Sequence, residues 1–172
     1  REAVARDARN AAAYYDLGLC ARQLEDKQEA KSSFRKAVAL NPESVNARIN
    51  LGALELDEGN TEAAVEQFAA ALRSAPSSHP AAFNLGLAYV RLGNDEDALR
   101  VWSALAGRSP DDPAVHEGLA SVYFRLHRYD DAKRHYEALL KLRPKDLVAH
   151  NNLGIIYEEF GQLEQAVAAY RA

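Results

Sequence analysis

The sequence predicts an all-α fold, an α-solenoid in which antiparallel helix-turn-helix units of 34 residues are stacked side by side. Prolines recur at this spacing, at Pro42, Pro76, Pro110 and Pro144. A leucine followed by a small residue, and an alanine followed four residues later by an aromatic residue, recur with the same period. Five aligned copies without an insertion are typical of a stacked repeat rather than of a single compact core.

The same residue types occupy the same positions in every repeat. The first residues of the five repeats are Ala11, Val45, His79, Pro113 and Leu147. The recurring leucines are Leu17, Leu51, Leu85, Leu119 and Leu153, and the small residues after them are Gly18, Gly52, Gly86, Ala120 and Gly154. The recurring alanines are Ala30, Ala64, Ala98, Ala132 and Ala166, and the aromatic residues are Phe34, Phe68, Trp102, Tyr136 and Tyr170. The small residues are expected to let two helix backbones approach closely, with the larger side chains filling the space around them.

Helix boundaries are marked by residues that cap and stop helices. Strong N-cap residues stand directly before the five repeats: Asn10, Ser44, Ser78, Asp112 and Asp146. The recurring prolines stop the preceding helices, because proline lacks an N–H and clashes with the previous turn. We predict first helices at 11–24, 45–58, 79–92, 113–126 and 147–160, and second helices at 27–40, 61–74, 95–108, 129–142 and 163–172.

The turn inside each repeat carries its own signal. In Gly93-Asn94 and Gly59-Asn60, the glycine is expected to adopt the left-handed conformation and the asparagine to cap the next helix. Gly161 keeps the glycine, whereas Glu25 and His127 occupy the same position in their repeats. We expect the last two turns to be more costly or differently shaped.

The pattern divides residues 1–172 into a single array with repeats at 11–44, 45–78, 79–112 and 113–146 and a truncated repeat at 147–172. Residues 1–10 fit the end of a preceding repeat or a leader. The sequence contains no methionine, and no polar capping helix follows the last repeat. We therefore expect that the natural protein continues, or that this end meets another chain.

These aligned positions resemble the tetratricopeptide repeat (TPR) family, whose signature places Leu-Gly, Tyr, Ala, an aromatic residue and a late Pro at the positions described above. The resemblance covers nearly the whole chain and implies a right-handed superhelix. Two departures stand out. The family's first Trp is absent from all five repeats, and its Tyr, present as Tyr89, Tyr123 and Tyr157, is replaced by Ala21 and Glu55 in the first two.

Composition excludes several classes of function. The chain has 21 basic and 25 acidic residues, a net charge of −4, which argues against a nucleic-acid partner. No apolar run is long enough to span a membrane and no signal peptide opens the sequence, so we expect no membrane insertion. The single cysteine, Cys20, leaves the compartment open; a bacterial source would imply the cytoplasm or the periplasm.

No catalytic or cofactor-binding motif is present, and we predict a non-catalytic protein with no cofactor and no metal. The five histidines are scattered along the chain, so we assign them structural or surface positions. Cys20 shares its repeat position with Leu54, Ala88, Val122 and Ile156, and we expect it in the core.

The family resemblance implies that the first helices line a concave groove that receives peptide segments. Position 6 of the repeats reads Asp16, Asn50, Asn84, Gly118 and Asn152. This resembles the asparagine ladder of O-linked N-acetylglucosamine transferases, in which amides hold a peptide backbone; the alternative is a set of solvated helix positions. The apolar candidates beside the ladder are Tyr15, Leu19, Ile49, Ala53, Phe83, Leu87 and Ile155. Arg91 and Arg125 are candidates for holding a ligand carboxylate, or form a solvated pair.

Three functions follow from these observations. The leading hypothesis is a scaffold that binds a protein partner's peptide or helix in the groove. The second is the substrate-docking arm of a larger enzyme, such as an O-GlcNAc-type glycosyltransferase. The third is a structural protein that self-assembles into a homo-oligomer through its uncapped ends. The clamp that binds chaperone tails in some family members is absent, because position 2 offers no lysine.

Overall fold

The computed structural model describes residues 10–172. The predicted end of a preceding repeat at residues 1–9 lies outside this range. The chain divides into two compact units, of which the first ends at Asn94 and the second runs from Asp95 to Ala172. The boundary falls inside the predicted repeat at 79–112, so the division into one array of repeats stays a prediction.

Unit 1 consists of five consecutive helices in its described part. Their bounds are α1 Ala11–Gln23, α2 Lys27–Leu40, α3 Val45–Asp57, α4 Thr61–Ser74 and α5 His79–Leu92. Each helix packs against the next along the chain, and α3 also packs against α5. Two first helices of neighbouring repeats are therefore adjacent, which places their exposed faces side by side.

Unit 2 continues the pattern with five more helices, α6 Asp95–Arg108, α7 Pro113–Arg125, α8 Tyr129–Leu142, α9 Leu147–Glu159 and α10 Leu163–Arg171. Each packs against its neighbour along the chain. No strand occurs in residues 10–172, so the all-α prediction is confirmed. The second helices begin at the predicted residues, whereas most first helices end one residue earlier than predicted.

The caps largely follow the prediction. The side chains of Asn10, Ser78, Asp112 and Asp146 accept hydrogen bonds from backbone N–H groups of the helices that they precede. Ser44 and Asn60 also stand at the predicted N-cap positions, but the expected side-chain bonds are missing. The Asn60 amide instead donates to Glu55 Oε2 at 2.9 Å, because a buried carboxylate lies within its reach.

The turns inside the repeats share one backbone conformation, whatever the residue. Gly93 has φ +75°, and Glu25 and His127 have φ +59° and +56°. The left-handed region therefore belongs to the turn itself, and the two non-glycine residues adopt it at a steric cost. The shape of the turn is therefore the same in these repeats, and the higher cost of the two non-glycine turns stays a prediction.

Close approach of the helices depends on the small residue after each leucine. A Cβ atom built on Gly52 would lie 2.8 Å from a ring carbon of Phe68, whose side chain is fully buried. Gly18 has the same relation to Phe34. The rings of Phe34 and Phe68 on the second helices thus lie directly on the backbone of the first helices of their own repeats.

A buried ionic cluster joins α2 to α3 in unit 1. Lys31 Nζ lies 2.7 Å from Glu55 Oε2 and also contacts Glu58, and Arg35 reaches Glu55 Oε1 at 2.7 Å. Burial raises the pKa of Glu55, but hydrogen bonds from Lys31, Asn60 and Arg35 outweigh it, and the net pKa lies below its usual value. For Lys31, burial lowers the pKa, whereas its bonds to Glu55 and Glu58 raise it above the usual value.

Cys20 is exposed, so its predicted place in the core is wrong. Its counterparts, among them Leu54 and Val122, are buried. In those repeats the second helix of the preceding repeat packs against the first helix, whereas α1 is the first helix that the structure describes. The comparison between repeats predicted the face of the helix on which Cys20 lies, but not whether another helix packs against that face.

Candidate functional site

Most of the predicted site residues lie on the first helices of unit 1, and we call this surface the leading-helix face. It comprises Tyr15, Asp16 and Leu19 on α1, Ile49, Asn50 and Ala53 on α3, and Phe83, Asn84, Leu87 and Arg91 on α5. The remaining predictions, Arg125, Asn152 and Ile155, lie on α7 and α9 of unit 2.

Asn50 is held by neighbours within unit 1. Its amide nitrogen donates to Asn46 O at 2.9 Å and approaches the hydroxyl of Tyr15 at 3.5 Å. Its side-chain oxygen accepts from Arg22 at 2.5 Å. The side chain therefore has a fixed orientation, and a ligand could use only the acceptor and donor capacity that these bonds leave over.

Asn84 is different, because its side chain makes no hydrogen bond within residues 10–172. It is half-buried on α5. The adjacent Phe83 ring stacks on His79 with centroids 6.3 Å apart and an interplanar angle of 13°. Asn84 thus presents two donors and an acceptor between half-buried apolar residues, with none of them used inside the described chain.

Asn152 has an internal partner in unit 2. Its amide nitrogen donates to the hydroxyl of Tyr136 at 2.8 Å, and Tyr136 is only 1% exposed. Burial raises the pKa of Tyr136, which the hydrogen bonds from Asn152 and Ser121 only partly counter. Asn152 therefore satisfies a buried hydroxyl, a structural role that the sequence alone did not indicate.

The apolar residues of the leading-helix face are half-buried rather than fully exposed. Tyr15 and Leu19 pack against the core cluster around Phe34, and the centroid of the Tyr15 ring lies 5.8 Å from that of Phe34. Ile49, Ala53 and Leu87 are likewise half-buried, as is Ile155 in unit 2. Asp16 is exposed on α1. The face thus has an apolar floor with polar groups on it, which is the composition of many ligand-contacting surfaces.

The two predicted arginines each have a partner within their own unit. Arg91 donates to the backbone carbonyl of Leu56 at 2.7 Å, in the last turn of α3, and the same carbonyl accepts from the backbone N–H of Gly59 at 3.1 Å. Arg125 forms two hydrogen bonds to the Asp95 carboxylate, one of them 3.0 Å long. The first arginine connects two helices of unit 1, and the second connects two helices of unit 2.

Sequence reasoning missed Arg22, the donor to Asn50. Its repeat position is otherwise apolar in most copies, as at Leu56, Val90 and Phe124, and a single arginine in that series was the available signal. Within residues 10–172, no group of three metal-ligating side chains converges. Over the same range, no helix combines the length and the apolar character needed to cross a bilayer.

Comparisons with known proteins agree with the repeat pattern. The family model for the cilia and flagella-associated protein 70 middle TPR-like domain matches residues 1–107, and a tetratricopeptide repeat model matches residues 117–172. None of the functionally curated proteins matches the chain in sequence.

Solved structures of TPR proteins resemble the chain over most of its length. A MamA structure has a TM-score of 0.88 at 22% identity, covering 94% of this chain and 88% of that one. YrrB, described as a TPR protein with an unusual peptide-binding site, has a TM-score of 0.87 at 18% identity, covering 98% and 87%. A second MamA structure gives 0.86 at 22%, covering 90% and 91%. These likenesses confirm the α-solenoid fold class, and with the family models they establish that the chain belongs to the tetratricopeptide repeat family.

Proposed function

We propose that this chain is a non-catalytic scaffold that binds a segment of a partner protein on the leading-helix face of unit 1. The observation that carries the proposal is Asn84, an amide without an internal hydrogen bond in the described chain. Asn84 is half-buried, and no buried side-chain nitrogen or oxygen atom of the described residues lacks a partner, so its amide atoms are reached by solvent. An accessible amide bordered by half-buried apolar side chains can exchange water for the backbone groups of a ligand.

The chemistry of the face favours a peptide as the ligand. A peptide backbone offers an N–H and a C=O at each residue, and the Asn84 amide can donate to one and accept from the other. Ile49, Ala53 and Leu87 would contact its apolar side chains. TPR proteins with this fold include YrrB, which is described as having a peptide-binding site, and this supports the same class of ligand here.

The three asparagines of the predicted ladder have different roles in this proposal. Asn50 is oriented by Arg22 and by Asn46 O, so we assign it a secondary contact. Asn152 is bonded to Tyr136, so we assign it to the stability of unit 2. Asn84 remains as the principal backbone contact.

A peptide-display selection against the full chain tests the proposal. The selected peptide is then titrated against the parent protein, against Asn84→Ala and against Gln28→Ala. Gln28 is an exposed amide on the second helix α2 and serves as a matched control outside the face. We expect Asn84→Ala to weaken binding about tenfold, the usual effect of one or two lost hydrogen bonds, and Gln28→Ala to leave it unchanged.

Two results would count against the proposal. Equal affinity of the parent and Asn84→Ala, with an unchanged circular dichroism spectrum, would remove the face from the mechanism. Weaker binding by Gln28→Ala alone would move the site to the second helices.

A further inference from the structure

Two histidines that lie far apart in the sequence form a direct hydrogen bond in unit 2. His116 Nδ1 on α7 and His135 Nδ1 on α8 are 3.0 Å apart, and His116 Nε2 lies 2.8 Å from the carbonyl oxygen of Pro110. A carbonyl only accepts, so His116 carries its proton on Nε2. Its Nδ1 then carries a lone pair, which accepts a hydrogen bond from the Nδ1–H of His135.

The same connection exists in unit 1 with residues that do not titrate near neutral pH. Arg48 occupies the repeat position of His116, donates to the carbonyl oxygen of Pro42 at 2.7 Å and reaches Gln67 Oε1 at 3.0 Å. Gln67 occupies the repeat position of His135. In both units, a side chain on the first helix thus bonds both to the preceding turn and to a side chain on the second helix. Only in unit 2 are both of these side chains imidazoles.

The ring geometry indicates a hydrogen bond rather than a metal site. The two ring centroids are 5.3 Å apart, a separation that requires the rings to point at each other along the line joining the Nδ1 atoms. A chelated metal needs the two lone pairs to converge on a point beside that line. No third metal-ligating side chain joins the pair within residues 10–172, and a zinc site uses at least three protein ligands.

We propose that the His116–His135 pair is an acid-operated latch that holds α7 to α8 at neutral pH and releases the two helices when both imidazoles are protonated. A first proton, on His135 Nε2, leaves the bond intact, because the imidazolium still donates from Nδ1. A second proton has to enter at His116 Nδ1. It places two N–H donors and two positive charges opposite each other at the contact, and the bond breaks.

The surroundings oppose double protonation at neutral pH. Burial lowers the pKa of His135 from 6.5 to about 4, with His116 and Arg134 contributing and Asp131 opposing. On α7, Tyr123 stacks on the His135 ring with centroids 5.6 Å apart, and Arg128 contacts the same tyrosine ring. Because the folded pKa is below the unfolded value, unfolding takes up a proton between these limits. The contribution of His135 to the stability of unit 2 is therefore full above pH 6.5 and is lost as the pH falls toward about 4.

The chain supplies its own control, since His116→Arg/His135→Gln copies the Arg48–Gln67 pair into unit 2. Urea unfolding of the full chain is followed by the fluorescence of Trp102, the single tryptophan, which is 2% exposed and lies against Gly118 of α7. We expect the unfolding equilibrium constant of the parent to rise about tenfold more than that of the double variant between pH 7 and pH 4. This allows for the partial solvent screening of His135.

The single variant His135→Gln provides the same comparison if the double variant does not fold, because the glutamine amide still donates to His116 Nδ1 and only one imidazole remains. A parent whose pH dependence is steeper than that of either folded variant supports the latch. Equal pH dependence of the parent and the folded variants would overturn it. So would a histidine NMR resonance of His135 in the parent that titrates near pH 6.5, its unshifted value.

Discussion

Asn84 in unit 1 and Asn152 in unit 2 occupy the same repeat position, but only one of them has an internal partner. Asn152 donates to the hydroxyl of Tyr136. The repeat position of Tyr136 is taken by Phe68 in the repeat before Asn84, and phenylalanine carries no hydroxyl. The Tyr136 hydroxyl therefore gives Asn152 a partner that Phe68 cannot give Asn84. A residue that recurs in register does not necessarily repeat its function.

Lys31 in unit 1 and Lys133 in unit 2 also share a repeat position but have different partners. Here we expect the largest difference between the units in the stability cost of a substitution. Lys31→Met leaves the Glu55 and Glu58 carboxylates facing each other without the cation between them, and should cost about 2–3 kcal/mol of unfolding free energy. Lys133→Met in unit 2 removes a partly exposed contact with the Tyr157 ring, with Nζ 5.1 Å from the centroid, and should cost about 0.5 kcal/mol. Urea denaturation followed by circular dichroism measures both.

The double variant Lys31→Met/Glu55→Leu is a further test. It removes both buried charges and should recover most of the unfolding free energy that Lys31→Met loses. Equal costs for the two single lysine variants would show that the α2–α3 cluster contributes no more than a surface contact.

The glycines after the leucines should also differ between the units, with a smaller effect. Gly52→Ala places a methyl group against the fully buried Phe68 and should cost about 2 kcal/mol by overpacking. Gly154→Ala meets Tyr170, which is 44% exposed and bonded only at the surface, through its hydroxyl to Glu158 at 3.0 Å. Because the ring can shift outward at the loss of a surface bond, the cost should stay below about 1 kcal/mol.

Gly107→Ala is the control, since a Cβ atom there meets nothing within 4 Å and alanine is the better helix former. Thermal unfolding should rank Gly107→Ala, Gly154→Ala and Gly52→Ala in increasing order of cost. A Gly154→Ala variant less stable than Gly52→Ala would contradict the argument from exposure.

The two asparagines provide the direct test of the opening comparison. Asn152→Ala leaves the buried Tyr136 hydroxyl with Ser121 as its other partner and should cost about 1 kcal/mol. Asn84→Ala should change stability by less than about 0.5 kcal/mol. In Tyr136→Phe the cost of Asn152→Ala should shrink, which a double-mutant cycle measures. An unchanged cost would mean that the Asn152–Tyr136 bond contributes nothing.

The smallest expected effect concerns the pH dependence of unit 1. Since the pKa of Glu55 is lowered in the folded state, its contribution is complete above its unfolded value of 4.5 and is lost as the pH falls below that value. Replacement by glutamine should therefore flatten the acid limb of the stability curve. Denaturation series of the parent and Glu55→Gln from pH 7 to pH 3 measure this; superimposable limbs would assign the acid sensitivity to other carboxylates.

The helices could be predicted almost to the residue, because five copies of the caps, prolines and small residues reinforce one another. The failures occur where the answer depends on a neighbour. Cys20 is on the predicted face, but its cover is a matter of packing between hairpins. Asn60 makes no side-chain capping bond, and its amide nitrogen is oriented toward Glu55 instead. The partner of Asn152 lies 16 positions earlier in the sequence. Periodicity specifies which face a side chain occupies, whereas its bonds depend on the actual residues opposite.

The inter-repeat turns have a consequence for how such a chain can change over time. Arg48, His116 and His150 each reach back six residues to a proline carbonyl, at 2.7, 2.8 and 2.9 Å. Donor and acceptor lie so close together in the sequence that a gene duplication copies both at once. Any side chain with a suitably placed N–H preserves the bond, and the indole of tryptophan also has one. The identity of this residue can therefore change between repeats, while each duplicated repeat already contains the hydrogen bond that stabilises its turn.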